Sequence, residues 1–151
     1  MKKLFEHHVK KISERLPGLE IEHVGGSSIP GALTKGDLDI VIRTERDSFL
    51  KIVEALKELY GPKYVDSLWN ENFALYQDYT SPVKVDIMVT IKDSPYDTFT
   101  KVRDFLIANK DALDEYNEIK THFNKIPYPE YLERKLVFFQ KIIKDRLNII
   151  S

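Results

Sequence analysis

Cysteine is absent from these 151 residues, which excludes disulfides, thiolate metal sites and cysteine nucleophiles. Any metal must then be held by oxygen or imidazole donors, a set that favours Mg²⁺ or Mn²⁺ over structural zinc. Long apolar runs are missing as well, and none approaches the ~20 residues of a membrane helix. The opening stretch, Met1 to Leu16, starts basic but has no apolar segment behind its lysines. It reads as a charged amphipathic helix rather than a signal peptide, so the expected compartment is the cytoplasm and no membrane partner is expected. Charge of one sign is also lacking: 23 basic residues face 24 acidic ones, for a net charge of −1. No overall positive field draws in nucleic acid, and no extended nucleic-acid surface is expected.

What is present is an ordinary globular balance, with 42% apolar and 31% charged residues. No repeat, low-complexity tract or long linker divides the chain, so one domain over 1–151 is expected, with a core at about 19–92 and C-terminal helices at about 97–148. A first helix is predicted from about Lys3 to Leu16, with Phe5, Val9, Ile12 and Leu16 on one face. Leu19 to Val24 reads as a strand, as does Asp37 to Arg43, and Arg46 to about Tyr60 reads as a helix. Phe73 to Tyr79 and Val83 to Ile91 read as a hairpin turning at Thr80-Ser81-Pro82. Three helices follow, marked by Phe99, Val102 and Leu106, by Leu113, Tyr116, Ile119 and Phe123, and by Leu132, Leu136, Phe139, Ile143 and Leu147. The fold class is α+β: one sheet covered on one face by helices, its other face partly open.

Asp is a poor strand residue, yet Asp37 and Asp39 stand two apart in a strand-like run. A period of two puts both carboxylates on one face, roughly 6.5 Å apart at Cα. In Val83 to Val89 the valines and Ile87 form the core face and Asp86 points to the other. If the two strands are neighbours, three carboxylates converge, and their repulsion calls for a cation or for raised pKa values. A divalent metal with oxygen ligands answers that need. The plainer alternative is three solvated acids on the polar side of a sheet.

Gly25-Gly26-Ser27-Ser28 follows a strand and lies just ahead of the paired aspartates. Glycines let a backbone approach a ligand, and successive N–H groups can cradle a phosphate. The turn matches neither the P-loop nor the dinucleotide fingerprint.

A strand ending in glycine and serine, an Asp-x-Asp pair on a second strand and a lone Asp on a later one resemble the nucleotidyltransferase superfamily. A narrower likeness is closer. Ile21-Glu22-His23-Val24-Gly25-Gly26-Ser27-Ser28-Ile29-Pro30-Gly31 resembles the signature of the GrpB-like family. Val102 to Leu106, Tyr116 to Lys120 and Tyr131 to Lys135 match its later pieces in order, over roughly Leu19 to Ile143. The chain departs from that pattern at Lys35-Gly36-Asp37-Leu38-Asp39-Ile40, where the extra Asp37 restores the superfamily's aspartate pair.

The resemblance implies a metal-dependent nucleotidyltransferase-like protein that moves a nucleoside monophosphate from an NTP to a hydroxyl acceptor. Asp37, Asp39 and Asp86 would hold Mg²⁺ or Mn²⁺, with Asp86 as third ligand or general base. Gly25, Gly26, Ser27 and Ser28 would meet the nucleotide, and Arg103, Lys120 and Lys35 are the basic candidates for its phosphates. The acceptor is left open between a small molecule, a protein and RNA. The competing class is a non-catalytic nucleotide- or metal-binding regulatory module of the same fold.

Other polar and aromatic residues have plainer roles. Lys84 shares a strand face with Asp86 and is placed to pair with it. His23 reads as a hydrogen-bonded structural residue, and His7 and His8 are too close in sequence to form a metal pair. Trp69, Tyr76 and Tyr79 are either stacking surfaces for a base or parts of the core and its rim.

Overall fold

The computed structural model describes residues 1–63 and 69–147, so position 148 of the expected helical stretch lies outside the described residues. Alternation along the strands sorts the side chains into two layers. Strand β2, Leu38–Thr44, sends Leu38, Ile40 and Ile42 to one face, and β5, Val85–Ile91, sends Val85, Ile87 and Val89 to the same one. Helices α1, Lys2–Arg15, and α2, Arg46–Leu56, cover that face with Ile12, Phe49, Ile52, Val53 and Leu56. At about 1.5–3 kcal/mol for each buried aliphatic side chain, this is the principal stabilising layer.

Strand β1, Glu20–Val24, runs antiparallel to β2, and β2 runs parallel to β5. Strand β4, Phe73–Gln77, is antiparallel to β5, and a two-residue β3, Gly61–Pro62, closes the edge. The order is β1-β2-β5-β4-β3. The hairpin is therefore real, but its strands stop earlier at the turn than the apolar pattern suggests. Asp78 accepts from both the hydroxyl and the N–H of Thr80 and so holds a turn there. Helix α2 also ends before Tyr60, whose ring is buried with its hydroxyl 2.7 Å from Nδ1 of the buried His8. β3 is an element that the sequence pattern does not announce.

The second face is apolar in its middle, where Val24, Val41, Phe73, Leu75 and Met88 gather with Tyr96 and Phe99. Helices α3, Phe99–Ala108, α4, Lys110–Thr121, and α5, Tyr128–Lys141, form a layer of their own around Leu106, Ala112, Tyr116, Phe138 and Ile142. A π-type turn, Ile142–Arg146, continues α5. The expected packing face of α5 is displaced. Leu132 is 44% and Leu136 57% exposed, while Tyr131, Phe138 and Ile142 are buried. Aromatic packing sets this rotation: Phe138 stacks on Tyr116 at 5.6 Å, and Phe139 meets the same ring at 5.4 Å. Between the helical layer and the second face of the sheet lies a cleft, which is how that face remains partly open.

Candidate active site

The cleft encloses about 600 Å³ and is walled by two kinds of chemistry. On the sheet side the parallel register sets Asp39 directly opposite Asp86, both on the second face. Asp37 lies just before β2 and lines the same cleft. The two-strand convergence expected from alternation is thus present. Burial, and then the charge of Asp86 beside it, lift the Asp39 carboxyl from 3.8 to about 6.

The glycine turn sits against this pair. Gly25 adopts φ +75°, and a Cβ added there would overlap Oδ2 of Asp39. Only glycine combines that backbone conformation with so close an approach. Gly26–Ser28 form a short 3₁₀ turn. Ser27 lines the cleft, its hydroxyl 2.8 Å from Nε2 of His23, whose ring stacks on Phe5. Ser28 does otherwise: its hydroxyl donates to the carbonyl of Gly25 at 2.6 Å and braces the turn from within. Of the four turn residues, Gly25, Gly26 and Ser27 line the cleft.

The helical wall carries the opposite charge. Lys120 on α4 and Lys135 on α5 line the cleft with Lys35 from the loop ahead of β2. Each ammonium lies over an aromatic ring: Lys35 over Phe123 at 4.1 Å, Lys120 over Tyr116 at 4.5 Å and Lys135 over Tyr131 at 5.6 Å. Lys120 also donates to the carbonyl of Leu33 at 2.6 Å, and a Cβ on Gly26 would overlap its Nζ. Among the described residues none of the three forms an ion pair. Burial, and then repulsion from Lys135, lower Lys120 to about 8, and burial followed by repulsion from Lys35 lowers Lys135. An anion in the cleft would relieve that repulsion.

Lys135 was not among the basic residues expected at the site, although a signal for it exists. Tyr116 with Lys120, and Tyr131 with Lys135, repeat one Tyr-x-x-x-Lys spacing on adjacent helices, and an i,i+4 spacing puts tyrosine and lysine on one face.

Arg103 differs from expectation. It lines the cleft, but Nη1 donates to the carbonyl of His23 at 3.0 Å, Nη2 to Glu22 at 3.1 Å and Nε to Asp104 at 2.9 Å. Its guanidinium ties α3 to β1. The aromatic candidates lie elsewhere too. Tyr76 is buried with its hydroxyl on the Val53 carbonyl, and Trp69 donates to the carbonyl of Lys63. Tyr79 is exposed, and none of the three lines the cleft.

The donor set fits a hard divalent cation in kind, since it is all carboxylate and Asp39 carries repulsion that such a cation would relieve. It does not form a ready-made cage: among the described residues no three acidic or imidazole side chains are placed to hold an ion together. Asp86 already has cationic partners: its two oxygens lie 3.3 and 3.1 Å from Nζ of Lys63, and one of them 3.7 Å from Nζ of Lys84.

A cleft of this build, with the glycine-serine turn on one side and the aspartate strands beneath, can be set beside known proteins. The model of the GrpB protein family matches residues 1–145. The chain belongs to the GrpB family. A UPF0157 protein of Vibrio cholerae is 29% identical over 140 residues, spanning 93% of this chain and 74% of that one. A second UPF0157 protein, from Halalkalibacterium halodurans, is 27% identical over 150 residues, spanning 94% and 75%. Among solved structures, the conserved protein GrpB from Enterococcus faecalis superposes with a TM-score of 0.74 at 18% identity, over 97% of this chain and 92% of that one. The Cid1 poly(U) polymerase superposes with a TM-score of 0.51 at 11% identity, over 82% of this chain and 41% of that one. At these identities the structural matches speak for the fold, and the fold of this GrpB family member is nucleotidyltransferase-like. No helix among the described residues is long and apolar enough to cross a membrane.

Proposed function

We propose that this GrpB family member binds a nucleoside triphosphate with Mg²⁺ or Mn²⁺ and transfers the nucleoside monophosphate to a hydroxyl acceptor. One observation carries the reading: Asp37, Asp39 and Asp86 line the same cleft as Lys35, Lys120 and Lys135, three ammonium groups that form no ion pair among the described residues. A triphosphate with a divalent cation has the charge pattern that such a cleft complements.

The three aspartates would hold the cation, which when bound would neutralise charge on the phosphoryl oxygens and make the phosphorus more open to attack. Lys35, Lys120 and Lys135 would hold the outer phosphates, and the turn at Gly25 to Ser27 lets the backbone come close to them. The acceptor oxygen bonds to the α-phosphorus as the bond to the β-phosphate oxygen breaks. The proton of the acceptor passes to a cleft carboxylate. Pyrophosphate leaves with the bonding pair, its charge met by the three lysines. The near-neutral net charge favours a compact acceptor over a long nucleic acid.

The second reading, a non-catalytic nucleotide-binding module, draws support from Asp86, which is occupied by Lys63. Calorimetric titration with ATP, CTP, GTP and UTP, with and without Mg²⁺, tests the binding half. We expect metal-dependent binding that is lost in Asp37→Ala/Asp39→Ala. Binding of none of the four would sink both readings, and binding without pyrophosphate release in the presence of any acceptor would favour the module.

A further inference from the structure

Asp86 of the carboxylate wall is paired with Lys63. Lys63 is anchored through its backbone on both sides. Its N–H donates to the carbonyl of Leu75 at 2.8 Å, and its own carbonyl accepts from the indole of Trp69 at 2.7 Å. It follows the short strand β3, which is held to β4 at the register Gly61↔Gln77 and Pro62↔Tyr76. On the other side of that strand, Gln77 is paired with Asp86 itself. The lysine therefore starts from a fixed point two strands from Asp86 and spans β4 to reach it. Its ammonium sits almost evenly on the two oxygens, at 3.1 and 3.3 Å. Both side chains are largely withdrawn from water, at 23% and 13% exposed. Lys84 is 46% exposed and approaches Asp86 to 3.7 Å, beyond hydrogen-bond distance.

We propose that Lys63 is a resident counter-ion of the site, which occupies Asp86 and competes with the divalent cation for it. The inference deepens the nucleotidyl-transfer reading and rests on its carboxylate assignment. The metal-free protein keeps Asp86 neutralised, so a cation binds weakly to Asp37 and Asp39 alone. Full ligation requires the lysine to release Asp86, and the phosphates of an arriving triphosphate are the anions that can take up its ammonium. Metal and nucleotide then bind cooperatively, each favouring the rearrangement the other needs. Lys63 is a positioning residue in this scheme, acting through Asp86.

The test uses Mn²⁺ alone, with no nucleotide, titrated into wild-type protein, Lys63→Met, Lys63→Arg and Lys84→Met and followed by electron paramagnetic resonance of the free ion. Lys63→Met should bind Mn²⁺ about tenfold more tightly than wild type, on the scale at which contacting charges couple. Lys63→Arg, which keeps the charge, should stay near wild type. Lys84→Met removes one positive charge from the same neighbourhood and should tighten binding by no more than about twofold, as expected of an exposed pair. The backbone bonds of Lys63 survive these substitutions, and matching circular dichroism spectra would establish that the variants are folded. Equal tightening in Lys63→Met and Lys84→Met would overturn the inference, because charge alone would then account for it. So would Mn²⁺ binding in Lys63→Met no tighter than in wild type, or none in either. Wild-type protein that binds Mn²⁺ but no nucleotide would refute nucleotidyl transfer while leaving the lysine's role standing.

Discussion

Replacing Asp39 by Asn should make the metal-free protein more stable, and should do so only above the acid range. The carboxyl is held near 6 in the folded chain against an ordinary 3.8, chiefly by burial and then by Asp86. A folded-state pKa above the unfolded one stabilises the fold at low pH, and that contribution disappears as pH rises through the folded value. Below about 4 both states carry the proton; above about 6 the folded protein holds a charge where charge is disfavoured. Each tenfold change in proton affinity is worth about 1.4 kcal/mol, so the loss between pH 4 and pH 8 is about 2–3 kcal/mol. Asn keeps the shape and cannot ionise. The melting temperature of Asp39→Asn relative to wild type should therefore rise by about 5–10 °C across that interval, at the 2–4 °C per kcal/mol of a chain this size. Thermal unfolding by circular dichroism from pH 4 to pH 8 without divalent metal reads this directly. Taking the difference between the two proteins at each pH removes the other titrating groups. A gap that stays constant or narrows toward pH 8 would refute the argument. Mg²⁺ with nucleotide should close the gap from the wild-type side alone, since the variant lacks the charge that the cation would relieve.

Two further substitutions separate roles that look alike in sequence. Gly26→Ala should leave the fold intact, because the added methyl overlaps only the far end of the Lys120 side chain and otherwise meets the Leu33 carbonyl at 3.4 Å, and should weaken nucleotide binding in the same calorimetric titration. Gly25→Ala should instead lower stability by at least about 1 kcal/mol, since a left-handed backbone disfavours a Cβ, and its methyl also pushes on Asp39. Equal melting temperatures for the two variants would refute that distinction. Arg103→Ala should cost about 1.5–3 kcal/mol, the usual loss of hydrogen bonds to a charged group. Arg103→Lys should not restore it, because a single ammonium cannot span the His23 carbonyl and Glu22 together. Urea unfolding of both variants checks this, and a fully stable Arg103→Lys would show that charge alone suffices.

The sequence by itself determined the sheet-facing half of this site. A strand's period of two puts Asp39 on the face away from Leu38 and Ile40, and Asp86 away from Val85 and Ile87, whatever else the chain does, and Asp37 just ahead of β2 continues that alternation into the cleft. A turn after β1 was legible from Gly25-Gly26-Ser27-Ser28, whereas the positive φ at Gly25 rather than at Gly26 was not. Helices α1 and α2 were legible for a related reason, since a 3.6-residue repeat marks one apolar stripe. Helix α5 was less so: its aromatic and aliphatic residues allow more than one stripe, and the choice between Leu136 and Phe138 fell to contact with Tyr116 on another helix. The register that sets Asp39 against Asp86 and the pairing of Arg103 with Glu22 were decided by tertiary structure alone, as was the wall of the cleft to which Lys120 and Lys135 are brought. So was the reach of Lys63 across β4 to Asp86. Periodicity acts along one segment and says which way a side chain points. Partnership is set between segments, by which strands pair and which helices roof them, and a basic residue's role depends on the acid it meets there.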